Sequence, residues 1–292
     1  MQESTISRRS ALGALTTGVL GAAAGSPQAL ASETSGKLKE NIKQSVSKWC
    51  FDKFIQQNSY DEFAKRCAEL GLAGIDLIDY KEWPTAQKYG LVPTMTPGAG
   101  NIPNALNVKD NHAKCLEEFK TNIPRAAENK VPNVITFSGN RRGMSDEEGW
   151  ENCALGLKEA VKIAEDKGVI ICMELLNSKV DHKDYMCDHT EWGVELCKRV
   201  NSPNFKLLYD IYHMQIMEGD IIRTIKKYSP YLGHFHTGGN PGRLDIDDTQ
   251  ELFYPPIMKA IVETGYKGYV AHEFIPKNGL DSLAAAIRLC DV

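Results

Sequence analysis

The sequence predicts an α/β fold, a (β/α)8 TIM barrel, on three observations. Short apolar runs of strand length alternate with helix-length segments eight times in about 250 residues, the size of such a barrel. The run at 169–173 is apolar throughout, as a parallel strand covered on both faces should be. No Gly-rich turn follows the first run, which a doubly wound nucleotide-binding sheet would normally carry.

In chain order, 46–51 reads as the first strand. A helix follows at 60–70, where Phe63, Ala64, Cys67 and Leu70 recur on one face before the stop at Gly71. The second strand is 74–78. A short helix at 85–89 leads to a third strand at 91–95, and Pro97-Gly98-Ala99-Gly100 opens a long loop at its end. The next helix covers 109–129 and the fourth strand 133–137. A long helix at 146–167 stops at Gly168. The remaining units pair the strand 169–173 with a helix in 190–200, 205–209 with 220–228, 232–235 with 249–263, and 268–272 with 280–289. Pro255-Pro256 predicts an irregularity in the helix at 249–263.

Ahead of this domain, assigned to 46–292, Ser7-Arg8-Arg9-Ser10 precedes an apolar stretch of small residues at 11–24 and then Ala29-Leu30-Ala31. That order reads as a twin-arginine export signal over 1–31 with cleavage after Ala31, and predicts an exported, periplasmic bacterial protein. The stretch is too short and too Gly-rich for a good membrane span, so no stable membrane insertion is expected after cleavage. Residues 32–45 are polar and Lys/Glu-rich, a linker.

Across the 292 residues, 34 Lys and Arg stand against 38 Asp and Glu, a net charge of −4 that supplies no basic surface for nucleic acid. The partner expected is a small molecule, and self-association into a homo-oligomer is left open. The eight cysteines form no C-x-x-C pair, which argues against a zinc knuckle or redox motif. Spacing would permit a bridge between Cys187 and Cys197, but sequence does not choose partners.

The chemistry is carried by strand ends. Glu174, Asp210, His236 and Glu273 each close one of four consecutive late strands, at spacings of 36, 26 and 37 residues, each suited to one β/α unit. In a barrel, strand C-terminal ends form the active site. One acidic residue there is often only a helix cap; four in four units is much harder to assign to capping. Three carboxylates and an imidazole make an oxygen-rich set for one divalent ion, Mn²⁺, Mg²⁺ or Co²⁺, rather than a thiolate-preferring one.

The stretch Leu208-Tyr209-Asp210-Ile211-Tyr212-His213-Met214-Gln215, with Met217-Glu218-Gly219, Gly233-His234-Phe235-His236 and Asn240-Pro241-Gly242-Arg243, resembles the hydroxypyruvate isomerase family, one of the xylose isomerase-like TIM barrels. Met173-Glu174-Leu175-Leu176-Asn177 and Ala271-His272-Glu273-Phe274-Ile275-Pro276 fit its two glutamate motifs. The resemblance is strong over 204–243 and weak before 169. It implies that Glu174 and Glu273 bind the ion and form the acid/base pair, that Asp210 and His236 complete the ligands, and that His213 meets a substrate oxygen. Arg243, after the seventh strand, is a second candidate to hold substrate, by a bidentate contact. Trp49 reads as a pocket wall or an ordinary core tryptophan, and Arg141 and Arg142 read first as a solvated basic loop and second as candidates to read a carboxylate. Two features depart from the pattern. His236 stands where bacterial hydroxypyruvate isomerases often have Gln and sugar epimerases His, and the loop 243–247 lacks the family's Gly-rich segment.

The leading expectation is metal-dependent interconversion of hydroxypyruvate and tartronate semialdehyde, with proton transfer between two glutamates. Its rival is a ketose 3-epimerase or related sugar isomerase. A nuclease of the same superfamily would need more histidines than the seven present, and a non-catalytic sugar-binding barrel is a further alternative.

Overall fold

The computed structural model describes residues 37–292. The predicted export signal and the linker up to residue 36 lie outside them. The first strand, β1 (Lys43–Ser47), starts inside the segment expected to be linker, and 48–51 is a 3-10 turn leading to α1 (Asp52–Gln57) and α2 (Tyr60–Glu69). Then follow β2 (Gly74–Asp76), α3 (Trp83–Lys88), β3 (Val92–Pro93), β4 (Thr96–Ala99), α4 (His112–Glu128), β5 (Asn133–Thr136), α5 (Asp146–Lys167) and β6 (Ile170–Glu174). The C-terminal half holds α6 (Thr190–Val200), β7 (Phe205–Asp210), α7 (Ile211–Met217), α8 (Ile221–Tyr228), β8 (Leu232–Thr237), α9 (Tyr254–Glu263), β9 (Tyr269–His272) and α10 (Leu280–Cys290). Among the described residues no helix is long and apolar enough to cross a membrane.

All strand pairs are parallel, in the order β3-β2-β1-β9-β8-β7-β6-β5-β4. The two ends of this order are consecutive in the chain, which is how the sheet closes into a barrel. Where one third strand was expected at 91–95, two short ones stand. Val92 and Pro93 pair with β2, and after Thr94 and Met95 the chain turns to pair Thr96 and Pro97 with β5. Pro93 and Pro97 lack the N–H a continuous ladder needs. Thr94 spans the joint, its N–H donating to the Ile75 carbonyl at 2.9 Å and its own carbonyl accepting from Asn133 Nδ2 at 2.8 Å. Gly74 permits the close approach on the β2 side, since a Cβ there would run into the Val92 carbonyl oxygen.

Two other departures have local causes. The helix expected from residue 249 begins only at Tyr254, because Pro255 and Pro256 occupy its first turn, where a missing N–H costs nothing. The helix α7 was not anticipated; the Asp210 side chain caps it by accepting from His213 N–H at 3.1 Å. By contrast α5 spans the expected residues, capped by Ser145, which accepts from Glu148 N–H, and ended by Gly168 at φ 68°.

Strand periodicity sorts side chains to two faces. Val46, Ile75, Val134, Ile171, Met173, Leu207, Tyr209, Phe235 and Val270 pack in the main core with the helices. Inside the barrel, Met95, Ile135, Cys172 and Leu208 form a separate apolar cluster. Buried Ser45, Ser47, Asp76, His234 and His236 give the rest of the strands' lining a polar character that branched aliphatic residues usually hold in such barrels.

Candidate metal centre and active site

Register places the site. Glu174 at the end of β6 pairs with Leu208, Asp210 at the end of β7 pairs with His236, and Glu273 follows directly on β9 with its N–H held by the Thr237 carbonyl at 3.0 Å. One ligand atom from each of Glu174, Asp210, His236 and Glu273 lies within 4.8 Å of all the others, and all four residues are buried. Ligands of a single ion at about 2.0–2.5 Å lie within about 5 Å of one another, so the spread suits one divalent cation. His236 Nδ1 lies 2.7 Å from Glu273 Oε2, 3.4 Å from Glu174 Oε1 and 3.8 Å from Asp210 Oδ2, yet is aligned for a hydrogen bond with none. One ring nitrogen and three carboxylates make a mixed nitrogen and oxygen donor set of the kind that suits such an ion.

Asp210 divides its carboxylate. Oδ1 caps α7, while Oδ2 faces the site, 3.2 Å from the Arg243 guanidinium, which also bonds Glu273 Oε2. Arg243 reaches there from the β8–α9 loop, folded back by the bridge between Gly239 and Leu244 and by left-handed backbone at Gly242 (φ 91°) and Arg243 (φ 54°). Its guanidinium lies between the Trp49 and Tyr212 rings, 5.3 and 5.5 Å from their centroids. Burial pushes the Asp210 carboxyl up to about 7, the neighbouring Glu273 adding to the rise. Burial also raises Glu273, but Arg243 and His236 outweigh it and hold that carboxyl well below the usual range. Trp49 Nε1 donates to Glu273 Oε1 at 2.7 Å, which makes the tryptophan part of the site.

His213 is fully buried, and burial together with Arg243 keeps its pKa well below the ordinary value, so the ring is neutral. Asn177 sits 2.6 Å from its Nδ1. The Asn177 oxygen accepts from the N–H groups of Val180 and Asp181, so its amide nitrogen is the donor and His213 Nδ1 the acceptor. The proton therefore lies on Nε2, which has no hydrogen-bond partner and is 3.7 Å from Asp210 Oδ2. Arg141 and Arg142 are elsewhere: Arg141 pairs with Asp146, and Arg142 bonds the Pro103 carbonyl and Asn104.

Sequence reasoning missed the layer beneath. Asp76 is 2.9 Å from His236 Nε2 and 3.1 Å from His234 Nε2, and accepts from the Thr94 hydroxyl. Despite burial, the two histidines hold the Asp76 carboxyl well below the ordinary value. The signal available was His234-x-His236, which in a strand puts both rings on one face.

Above the cluster opens a cavity of about 720 Å³, with Glu174, Glu273, Arg243, Trp49 and His182 on its floor and sides.

Residues 52–290 match the family model described as xylose isomerase-like TIM barrel. Hydroxypyruvate isomerase of Escherichia coli is 28% identical over 167 residues, 55% of this chain and 64% of that protein. D-psicose 3-epimerase of Ruminiclostridium cellulolyticum is 35% identical over 128 residues, 42% of this chain and 41% of its own. The alignments with such curated relatives span about half their length. Among solved structures, an AP endonuclease of family 2 from Brucella melitensis superposes with a TM-score of 0.74 at 22% identity, covering 84% of this chain and 99% of that one, a likeness of fold alone. The match over most of its length shows that the chain belongs to the xylose isomerase-like TIM barrel family.

Proposed function

We propose that this protein is a metal-dependent isomerase of α-hydroxy carbonyl compounds that moves a proton between neighbouring carbons, or between the faces of one carbon, with Glu174 and Glu273 as acid and base. The observation that carries the reading is the convergence of Glu174, Asp210, His236 and Glu273 within 4.8 Å, with Glu174 and Glu273 lining one cavity. A divalent ion held by these four would bind the carbonyl and adjacent hydroxyl oxygens and stabilise the negative charge that develops on the carbonyl oxygen.

One glutamate takes the proton from the hydroxyl-bearing carbon. The C–H electron pair becomes the C=C bond of an enediolate as the carbonyl π pair moves onto oxygen. Return of a proton to the former carbonyl carbon, with the hydroxyl proton shifted to the other oxygen, completes an isomerisation. Return to the original carbon from its opposite face completes an epimerisation. His213 Nε2–H donates to a substrate oxygen, and Trp49 and Arg243 fix the Glu273 carboxylate. Conversion of hydroxypyruvate to tartronate semialdehyde and 3-epimerisation of a ketose are both instances; the named relatives support the class.

The test is exchange of the substrate C–H with D₂O followed by NMR in the Mn²⁺-loaded protein. Glu273→Gln and Glu174→Gln should each slow exchange by about 10²–10⁴-fold. Exchange at the wild-type rate in either variant would remove that residue from the acid/base role.

A further inference from the structure

Resting on that reading, we infer the substrate class: an uncharged α-hydroxy ketone of at least monosaccharide size, bearing an apolar group at the end remote from its carbonyl. Size comes first. Pockets of about 300–1,000 Å³ enclose drug-sized ligands, and this one measures about 720 Å³. A three-carbon hydroxy-keto acid would fill only a small part of it, a volume equal to about 24 liquid waters at about 30 Å³ each. The remainder would be water held against Leu77, Ile102, Ile135, Phe137 and Leu176, an arrangement an apolar substituent improves by displacing it.

Charge comes second. The cations lining the cavity are Arg243, already engaged by Asp210 and Glu273, and His182, whose pKa burial lowers so that the ring is neutral near pH 7. At the end away from the cluster the charged group is Glu118, whose carboxylate accepts from Gly100 N–H at 2.8 Å. A carboxylate or phosphate reaching that end would meet the like charge of Glu118, whose counter-ion, Lys114 Nζ at 3.8 Å, sits on an exposed side chain outside the cavity lining. The polar side chains of α4 there hold the Gly98–Gly100 backbone: Asn122 Nδ2 donates to the Gly98 carbonyl at 2.8 Å. Apart from these and Asn101, the wall there is apolar side chains and backbone rather than a set of groups for reading hydroxyls.

The experiment uses the full chain loaded with Mn²⁺ and four probes: hydroxypyruvate, D-fructose, D-fructose 6-phosphate and 6-O-benzyl-D-fructose. Affinity is measured by calorimetry and C–H exchange by NMR. The benzyl ether should bind at least tenfold more tightly than fructose, and the two anions at least tenfold more weakly than the ether. Ile102→Asp, a change in a surface loop, should reduce the ether's advantage over fructose to within about threefold, and Phe137→Ala provides the same comparison should that variant fail to fold. Equal affinity for ether and fructose, or a higher kcat/KM for hydroxypyruvate than for the ether, would overturn the inference while leaving the proton-transfer reading intact. Tight binding of the ether with no exchange from any probe would instead sink the proton-transfer reading.

Discussion

Asp76 Oδ2 holds His236 Nε2 at 2.9 Å, and this contact determines which ring nitrogen faces the carboxylates. An ionised Asp76 only accepts, so Nε2 donates and Nδ1 is turned to Glu174, Asp210 and Glu273. Asp76→Asn should lower Mn²⁺ affinity about 10–100-fold, the usual cost of removing a ligand's outer partner. Calorimetric titration of both proteins checks it, and unchanged affinity would refute the positioning role.

Arg243 is the cation set between Asp210 and Glu273. Removing it leaves two buried carboxylates without that counter-charge, so Arg243→Ala should cost about 3 kcal/mol in metal-free protein. Saturating Mn²⁺ should restore much of this, so the rise in Tm on adding the ion is expected to be larger in the variant than in the wild type. An equal rise in both would separate Arg243 from the charge balance of the site.

Gly74 is a stability prediction away from the chemistry. Its missing Cβ is what lets β2 pair with Val92 and Pro93, and the obstructing atom would be backbone, which cannot rotate aside. Gly74→Ala should destabilise the fold by about 1–3 kcal/mol, seen as a lower urea midpoint.

His272 gives a pH prediction. The ring is fully buried and neutral, Nε2 donating to Gln44 Oε1 at 2.9 Å and Nδ1 accepting from Thr237, and burial pushes its pKa down to about 3. The unfolded chain titrates near 6.5 and takes up the proton first as pH falls. The contribution is therefore complete above about pH 6.5 and lost progressively toward pH 3, by up to about 1.4 kcal/mol per pH unit. Urea midpoints at pH 7, 6, 5 and 4 should fall less steeply in His272→Gln; parallel curves would show that another group carries the effect.

Much of this site is legible in the sequence, for a physical reason: in a parallel barrel the last inward residue of each strand must reach the same end. Glu174, Asp210, His236 and Glu273 obey that rule. Capping and site-facing roles, which compete as readings of an acidic strand end, are both true of Asp210, one oxygen to each. Asp76 escaped because reading β2 through to residue 78 put it mid-strand, where side chains are expected to pack; the strand stops at Asp76. The divided third strand escaped because apolar content shows that a segment is buried but not that prolines split its pairing between two neighbours. The Arg243 approach depends on loop backbone at 239–244, which no periodicity describes.

All eight cysteines are buried and unbridged, Cys187 and Cys197 included, and burial pushes the Cys115 thiol up to about 11 and that of Cys197 to about 12. While the barrel is intact, sulfur is shielded from oxidants and slow to form thiolate. Unfolded, the same polypeptide would present eight reactive sites for scrambled cross-links. We propose, from the leader read in the sequence, that this chain reaches an oxidising compartment, where its thiols persist only if folding precedes arrival.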